Sequence, residues 1–182
     1  MIEVLWHGRG GQGAFTAAKL LGAAYSVKSR ESHALAFPSF GPERRGAPIL
    51  AFTKLSDSSI GDRSQIKKAD FVVFLDDTLF SSKAFDEIKA DGKIFINTRK
   101  DFSGDNNYSQ EELSHIVTID GDSLAQKILS MPVTNTVMLS LLARVSGLVS
   151  KEQIQKAIEL YMPAKLVAKN TALVDAVFGG EE

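Results

Sequence analysis

Apolar and polar positions along the chain alternate between two rhythms. Residues 2–7 form a short apolar run that ends in a glycine cluster, the pattern of a buried strand. Ala14, Ala17, Ala18, Leu21, Ala24 and Tyr25 then recur at helical spacing over residues 14–28. The chain thus opens strand, glycine-rich turn, helix, as mononucleotide-binding α/β domains do. Residues 32–37 and 49–53 fit a second and a third strand, and residues 70–75 a core strand. After a cap signal at Asp77 and Thr78, residues 78–90 predict a helix stopped by Gly92. Residues 93–97 predict a strand, and residues 99–112, polar around Gly104-Asp105-Asn106-Asn107, an exposed loop. A short strand at 116–119 and a helix over about 122–130 follow. From Asn135 on, the pattern is helical. Asn135 is placed to cap a helix ending near Gly147, and Ser150, with Glu152 or Gln153 behind it, to cap the next. Pro163 suits the first turn of a last helix ending near Gly179. The expectation is one α/β domain over residues 1–182, a Rossmann-like three-layer sandwich with a helical C-terminal part.

Composition narrows the function. The 182 residues suit one domain, and a 44 % hydrophobic content is enough for a sizeable core. With 21 Lys plus Arg against 22 Asp plus Glu, the net charge of −1 points to neither a nucleic-acid nor a membrane partner, so any cationic site is local. The chain has no cysteine. Thiolate nucleophiles, thiolate zinc sites and iron–sulfur clusters are therefore excluded from it, and clusters in any electron-transfer role belong to another chain. Residues 1–6 lack a basic region and a cleavage site, and no apolar run approaches the roughly 20 residues that span a bilayer. A cytoplasmic protein is expected.

Gly8-Arg9-Gly10-Gly11-Gln12-Gly13 matches G-x-G-x-x-G in the required place, between a strand and a helix. Glycines let the backbone turn tightly and approach a phosphate, which then meets the N–H groups and positive dipole end of the helix. Arg9 adds a full charge able to pair a phosphate bidentately. A tight turn without ligand is the bland alternative. A dinucleotide site has a specific weakness here, because it wants an acid about 20 positions on, at the end of the second strand. Glu31 precedes that strand, and Phe37, Pro38, Ser39 and Phe40 at its end carry no carboxylate. A P-loop is excluded by the missing Gly-Lys-Ser/Thr.

Phe37-Pro38-Ser39-Phe40-Gly41-Pro42-Glu43-Arg44-Arg45-Gly46-Ala47-Pro48 holds three of the five prolines in twelve residues. Such a stretch is stiff and shaped, and two arginines in it form a preorganised anion clamp. Phe37 and Phe40 pack beneath it or stack on a planar ring. Pairing of Arg44 and Arg45 with Glu43, with other surface carboxylates or with a partner subunit is the alternative.

Together these two motifs resemble the gamma subunit of pyruvate:ferredoxin oxidoreductases. Val133-Thr134-Asn135-Thr136 before a helix, and Ala164-Lys165-Leu166 with Asn170 in the last helix, resemble that family's C-terminal half. The likeness covers nearly the whole chain. It implies an enzyme that decarboxylates a 2-oxoacid, joins the acyl unit to coenzyme A and passes electrons to ferredoxin. Thiamine diphosphate would lie between the alpha and beta subunits, and [4Fe-4S] clusters in the beta and delta subunits. The gamma subunit would grip coenzyme A and close the active site without supplying an acid, base or nucleophile. Carried over by position, Gly8, Gly10, Gly11 and Gly13 would shape a loop with Arg9 and Gln12 facing ligand or partner. Arg44 and Arg45 would meet the coenzyme A phosphates or the alpha subunit, with Gly41 and Asn135 completing the site. The doubled arginine after Glu43 resembles the pyruvate branch, since gamma subunits acting on 2-oxoglutarate tend to carry Glu-Ala-Arg-Gly-Gly there. Pyruvate and branched-chain gamma subunits are much alike, and the substrate stays open between them.

Two readings of other classes remain: a free-standing NAD(P)- or flavin-binding oxidoreductase domain, and a purely structural interaction subunit. Isolated from its partners, the chain is expected to expose an apolar surface able to drive homodimerisation. His7 fits a local hydrogen bond better than catalysis, and His33 and His115 have no spaced partners for a metal. Of Asp76 and Asp77, which follow a core strand, one is expected to cap a helix.

Overall fold

A computed structural model describes residues 1–39 and 45–180. Among the described residues, six strands form one mixed sheet in the order β2-β3-β1-β4-β5-β6. They are β1 (Ile2–Arg9), β2 (His33–Pro38), β3 (Pro48–Ser56), β4 (Ala69–Phe74), β5 (Ile88–Asn97) and β6 (Ile116–Ile119). The half made of β1, β4, β5 and β6 is parallel, as expected of alternating strands and helices. In the other half β3 runs antiparallel between β1 and β2.

Side chains on a strand point alternately to the two faces of its sheet, and here each face has its own core. Val4, Trp6, Val73 and Phe95 face a helical layer. That layer comprises α1 (Ala14–Ser26), α3 (Gly121–Leu129), α4 (Asn135–Ser146), α5 (Lys151–Tyr161) and α6 (Ala164–Gly179). Met138, Leu139, Ile154, Ile158, Leu173 and Val174 fill it. Leu5, Phe52, Val72, Phe74, Ile94 and Ile96 face the opposite side. Thinner cover lies there: two 3-10 segments, Asp77–Leu79 and Ser82–Glu87, and a loop leading to α2 (Gln110–His115).

That thin layer differs from the expected helix over 78–90. Phe80 and Ser81 are extended, which splits the segment in two. The break drops the Phe80 ring edge-on against Phe74, at 5.5 Å, and against Phe102, at 5.6 Å. Gly92 stops no helix but lies inside β5, where a Cβ would come within 2.9 Å of the Lys89 carbonyl. Nor is 99–112 simply an exposed loop. Phe102 and Tyr108 turn inward against Phe80, and Ser109 and Glu112 form a capping box that opens α2. Thr134 rather than Asn135 occupies the cap position of α4. Ser150 caps α5 with Gln153 as the reciprocal partner.

One buried hydrogen-bond chain ties the layers together. Trp6 donates through Nε1 to Thr53 Oγ1 at 3.0 Å, and Thr53 donates to the Ala18 carbonyl of α1 at 3.1 Å. Replacing Thr53 with Val keeps the shape and removes both bonds, leaving a buried indole N–H without a partner. We expect Thr53→Val to cost about 1–3 kcal/mol, measured by urea denaturation.

Candidate functional site

The sheet register brings the two sequence motifs together. Arg9 pairs with Pro48 at the ends of β1 and β3. Beyond them Gly10 N donates to the Ala47 carbonyl at 2.9 Å, and Gly46 N donates to the Gly10 carbonyl at 3.0 Å. Gly10 and Arg45 form an isolated parallel bridge. Residues 35 positions apart along the chain therefore make one ridge over the start of α1. Arg45 is exposed on it and makes no ion pair with another described residue. Gly41 and Arg44 lie outside the described residues.

Two glycines let the helices approach the loop closely. At Gly8 a Cβ would press within 3.1 Å of the Ala14 Cβ, so any larger residue would make α1 give way by a few tenths of an ångström. Gly13 caps α1 with φ +85°, a left-handed conformation that costs other residues energy. A Cβ there would lie 2.6 Å from Asn135 Nδ2, so the glycine also admits the start of α4. Asn135, 133 residues or more from the opening strand's first residue, thus packs directly on the loop.

Arg9 turns inward rather than outward. Its Nε donates to Asp76 Oδ2 at 2.9 Å, one terminal nitrogen to Thr78 Oγ1 at 2.9 Å, and the other to the Gly46 carbonyl at 3.2 Å. Gln12 folds back as well. Its Oε1 accepts from Arg9 N at 2.7 Å and its Nε2 donates to Asp76 Oδ2 at 3.2 Å. Asp76 caps the following 3-10 turn by accepting from Thr78 N at 3.0 Å. Burial by itself raises the Asp76 pKa, but hydrogen bonds from Thr78, Gln12 and Arg9 outweigh it and leave the carboxyl below its ordinary range. Arg9 and Gln12 therefore brace the loop from within. Beside them His7 bonds Glu87 at 2.8 Å and stacks on Phe74, the local role expected of it.

Past this brace lies the crevice at the carboxyl ends of β1, β4 and β5, where open α/β sheets bind ligands. Its lining includes Asp76, Asp77, Asp120 and Asp122 against Arg99 and Lys100. Four carboxylates suit a pyrophosphate poorly. A second obstacle to a dinucleotide is topological. The ribose-binding acid belongs on a parallel strand next to β1, and that place is taken by the antiparallel β3.

Removing the brace has two expected outcomes. Asp76→Ala strands Arg9 and Gln12 and costs about 1–3 kcal/mol at neutral pH. Because the folded pKa is depressed, this contribution is full above the unfolded value of about 3.9 and fades as pH falls through the folded one. Urea denaturation at pH 7 and pH 3 should thus show the gap between wild type and Asp76→Ala shrinking in acid. Gly13→Ala, strained in φ and colliding with Asn135, should lose more than about 1 kcal/mol in the same assay.

Known proteins share this fold. The sequence profile of the pyruvate ferredoxin/flavodoxin oxidoreductase family matches residues 3–179. The chain is 43 % identical, over 93 % of its length and 92 % of the relative's, to the pyruvate synthase subunit PorC of Methanothermobacter marburgensis. The crystal structure of the pyruvate oxidoreductase subunit PORC from Thermotoga maritima superposes with a TM-score of 0.80 at 31 % identity, covering 98 % of this chain and 95 % of that one. At 16 % identity, evidence for the fold alone, all of this chain superposes on 31 % of a chain of the 2-oxoglutarate:ferredoxin oxidoreductase from Magnetococcus marinus, with a TM-score of 0.74. That enzyme was solved with 2-oxoglutarate, coenzyme A and succinyl-CoA bound. The chain belongs to the pyruvate ferredoxin/flavodoxin oxidoreductase family and is a gamma-type subunit of these multi-subunit 2-oxoacid oxidoreductases.

Proposed function

We propose that this chain helps bind coenzyme A and closes over the active site of a pyruvate-type enzyme, without activity of its own. The reaction of such an enzyme converts pyruvate, coenzyme A and two oxidised ferredoxins into acetyl-CoA, carbon dioxide and two reduced ferredoxins, with release of a proton. Thiamine diphosphate and [4Fe-4S] clusters would sit on the alpha, beta and delta partners, in keeping with a chain that has no cysteine. What is left to this subunit is recognition of a polyanionic substrate.

The observation that carries this reading is the braced ridge. Arg9, Gln12 and Asp76 satisfy one another, so the loop holds its shape before any ligand arrives. Arg45 stands exposed on that ridge, beside the start of α1, which has no side-chain cap. Preorganisation of this kind spares the ordering cost of binding. Contact with the ligand phosphates falls to Arg45, and to Arg44 next to it in sequence, rather than to Arg9. None of the described helices is long and apolar enough to cross a membrane. We place the complex in the cytoplasm.

A purely structural role is favoured by a different observation, the exposure of Leu160 (56 %) and Tyr161 (70 %) at the end of α5. Large apolar side chains in one patch suit contact with a partner subunit, or self-association of the isolated chain. Calorimetric titration of coenzyme A into the assembled complex separates the two roles. Arg44→Ala/Arg45→Ala should weaken binding about tenfold or more, the equivalent of one charge-assisted contact, with assembly intact. Unchanged affinity in an intact complex would remove the clamp, and loss of assembly would make the arginines interface residues.

A further inference from the structure

The sheet ends on β6, and the bonds around that strand fix which of its backbone groups are taken. Thr98 N donates to the Ile119 carbonyl at 2.9 Å, and Ile96 lies beside Thr118 in the β5–β6 register. In a parallel ladder the residues flanking Thr118, Val117 and Ile119, then turn their N–H and C=O groups toward β5. Ile116 and Thr118 turn theirs outward, to the edge where no described strand pairs. The Ile116 N–H closes α2 on the Leu113 carbonyl. What remains is one donor, the Thr118 N–H, between two acceptors, the carbonyls of Ile116 and Thr118. The strand, Ile-Val-Thr-Ile, holds neither the Lys nor the Pro that commonly guards an edge.

This edge opens into a groove. Strand side chains alternate with the same period of two as the backbone groups, so Ile116 and Thr118 both line a cavity of about 490 Å³ between the edge, α2 and the loop after β5. Phe102, Leu113 and Ile116 make an apolar floor, and Phe102 is held there edge-on against Phe80 at 5.6 Å. Asp101 is the charged side chain in the lining among the described residues. The wall built by residues 101–112 holds Asp101, Asp105, Glu111 and Glu112 and no Lys, Arg or His. None of the four makes an ion pair with a described residue. Lys93 reaches the wall from β5 but donates to the Ser114 carbonyl at 2.8 Å. An open strand edge, an apolar floor and a negative wall thus meet in one place.

We propose that this groove takes up an extended segment of a partner subunit by strand addition, with apolar side chains for the floor and a Lys or Arg for the wall. In antiparallel pairing, the segment residue opposite Thr118 exchanges both backbone bonds with it, and the residue two further on donates to the Ile116 carbonyl. Both of those residues turn their side chains onto the floor. The occupant is a different chain rather than a second copy, because a second β6 would bring the same four acids against the first set. Membership in a family of multi-subunit enzymes supplies such a chain. Coenzyme A plays no part in this contact.

Residue-resolved hydrogen exchange tests it, on the free chain and on the chain assembled with its co-expressed partner subunits. In the free chain the Thr118 amide should exchange fast while Val117 and Ile119 stay protected by the ladder. In the complex Thr118 should slow about a hundredfold or more, with little change at those neighbours. Asp101→Lys should keep the exchange pattern of the free chain and weaken its binding to the partner subunits about tenfold or more, read by surface plasmon resonance. Thr118 exchanging as fast in the complex as alone overturns the proposal, and so does binding of Asp101→Lys at wild-type strength. Protection of Thr118 that rises with the concentration of the free chain would make a second copy the occupant and overturn it as well.

Discussion

The contact between Arg9 and Asp76 holds the glycine-loop end of this molecule in shape. It joins the end of β1 to the end of β4 at the point where the sheet changes from antiparallel to parallel pairing. Through its other nitrogens the same guanidinium fixes Thr78 on the 3-10 turn and the Gly46 carbonyl on the arginine segment. Three stretches distant in sequence are thus held by one planar group, with Gln12 closing the ring. A lysine, with a point charge and no fork, would not span these acceptors. The glycine loop is consequently held in shape, with Gln12 and its partner Asp76 in the wall of the crevice where such loops usually meet a dinucleotide.

Insertion of β3 between β1 and β2 is the second constraint. It takes the place of the parallel neighbour on which a ribose acid would sit, and its start carries the arginine segment to the glycine loop. One change of strand direction therefore takes away the place of a ribose acid and assembles the ridge that carries Arg45. The other flank of the loop receives α4 at Gly13, so that a single tight turn forms part of two different surfaces.

Much of this was legible in the sequence. Strand alternation, the strand–glycine–helix opening and the Ser150 cap depend on near neighbours, and they stand as read. Features set by distant contacts were not legible. Nothing in residues 48–56 announces an antiparallel direction, because alternation is the same either way. Residues 78–90 carry good helix formers, but the backbone is extended at Phe80 and Ser81, where the Phe80 ring packs on Phe74. The inward turn of Arg9 depends on Asp76, 67 positions away. The capping box of α2 was available as Ser109 and Glu112 and was hidden by the polar tract before it. Asn135 was readable as a helix-start residue, whereas its contact with Gly13 belongs to the tertiary fold alone.

The position of β1 in the sheet has a consequence for synthesis. It leaves the ribosome before the other five strands described, yet it is an inner strand whose two neighbours, β3 and β4, end only at Ser56 and Phe74. The helical side of Trp6 and Val73 is sealed later still, by α4, α5 and α6 from the last third of the chain. Until those helices emerge, a half-built sheet with an open apolar face waits in the cell. Docking of these helices, rather than step-by-step growth of the sheet, sets the moment at which that apolar face is covered.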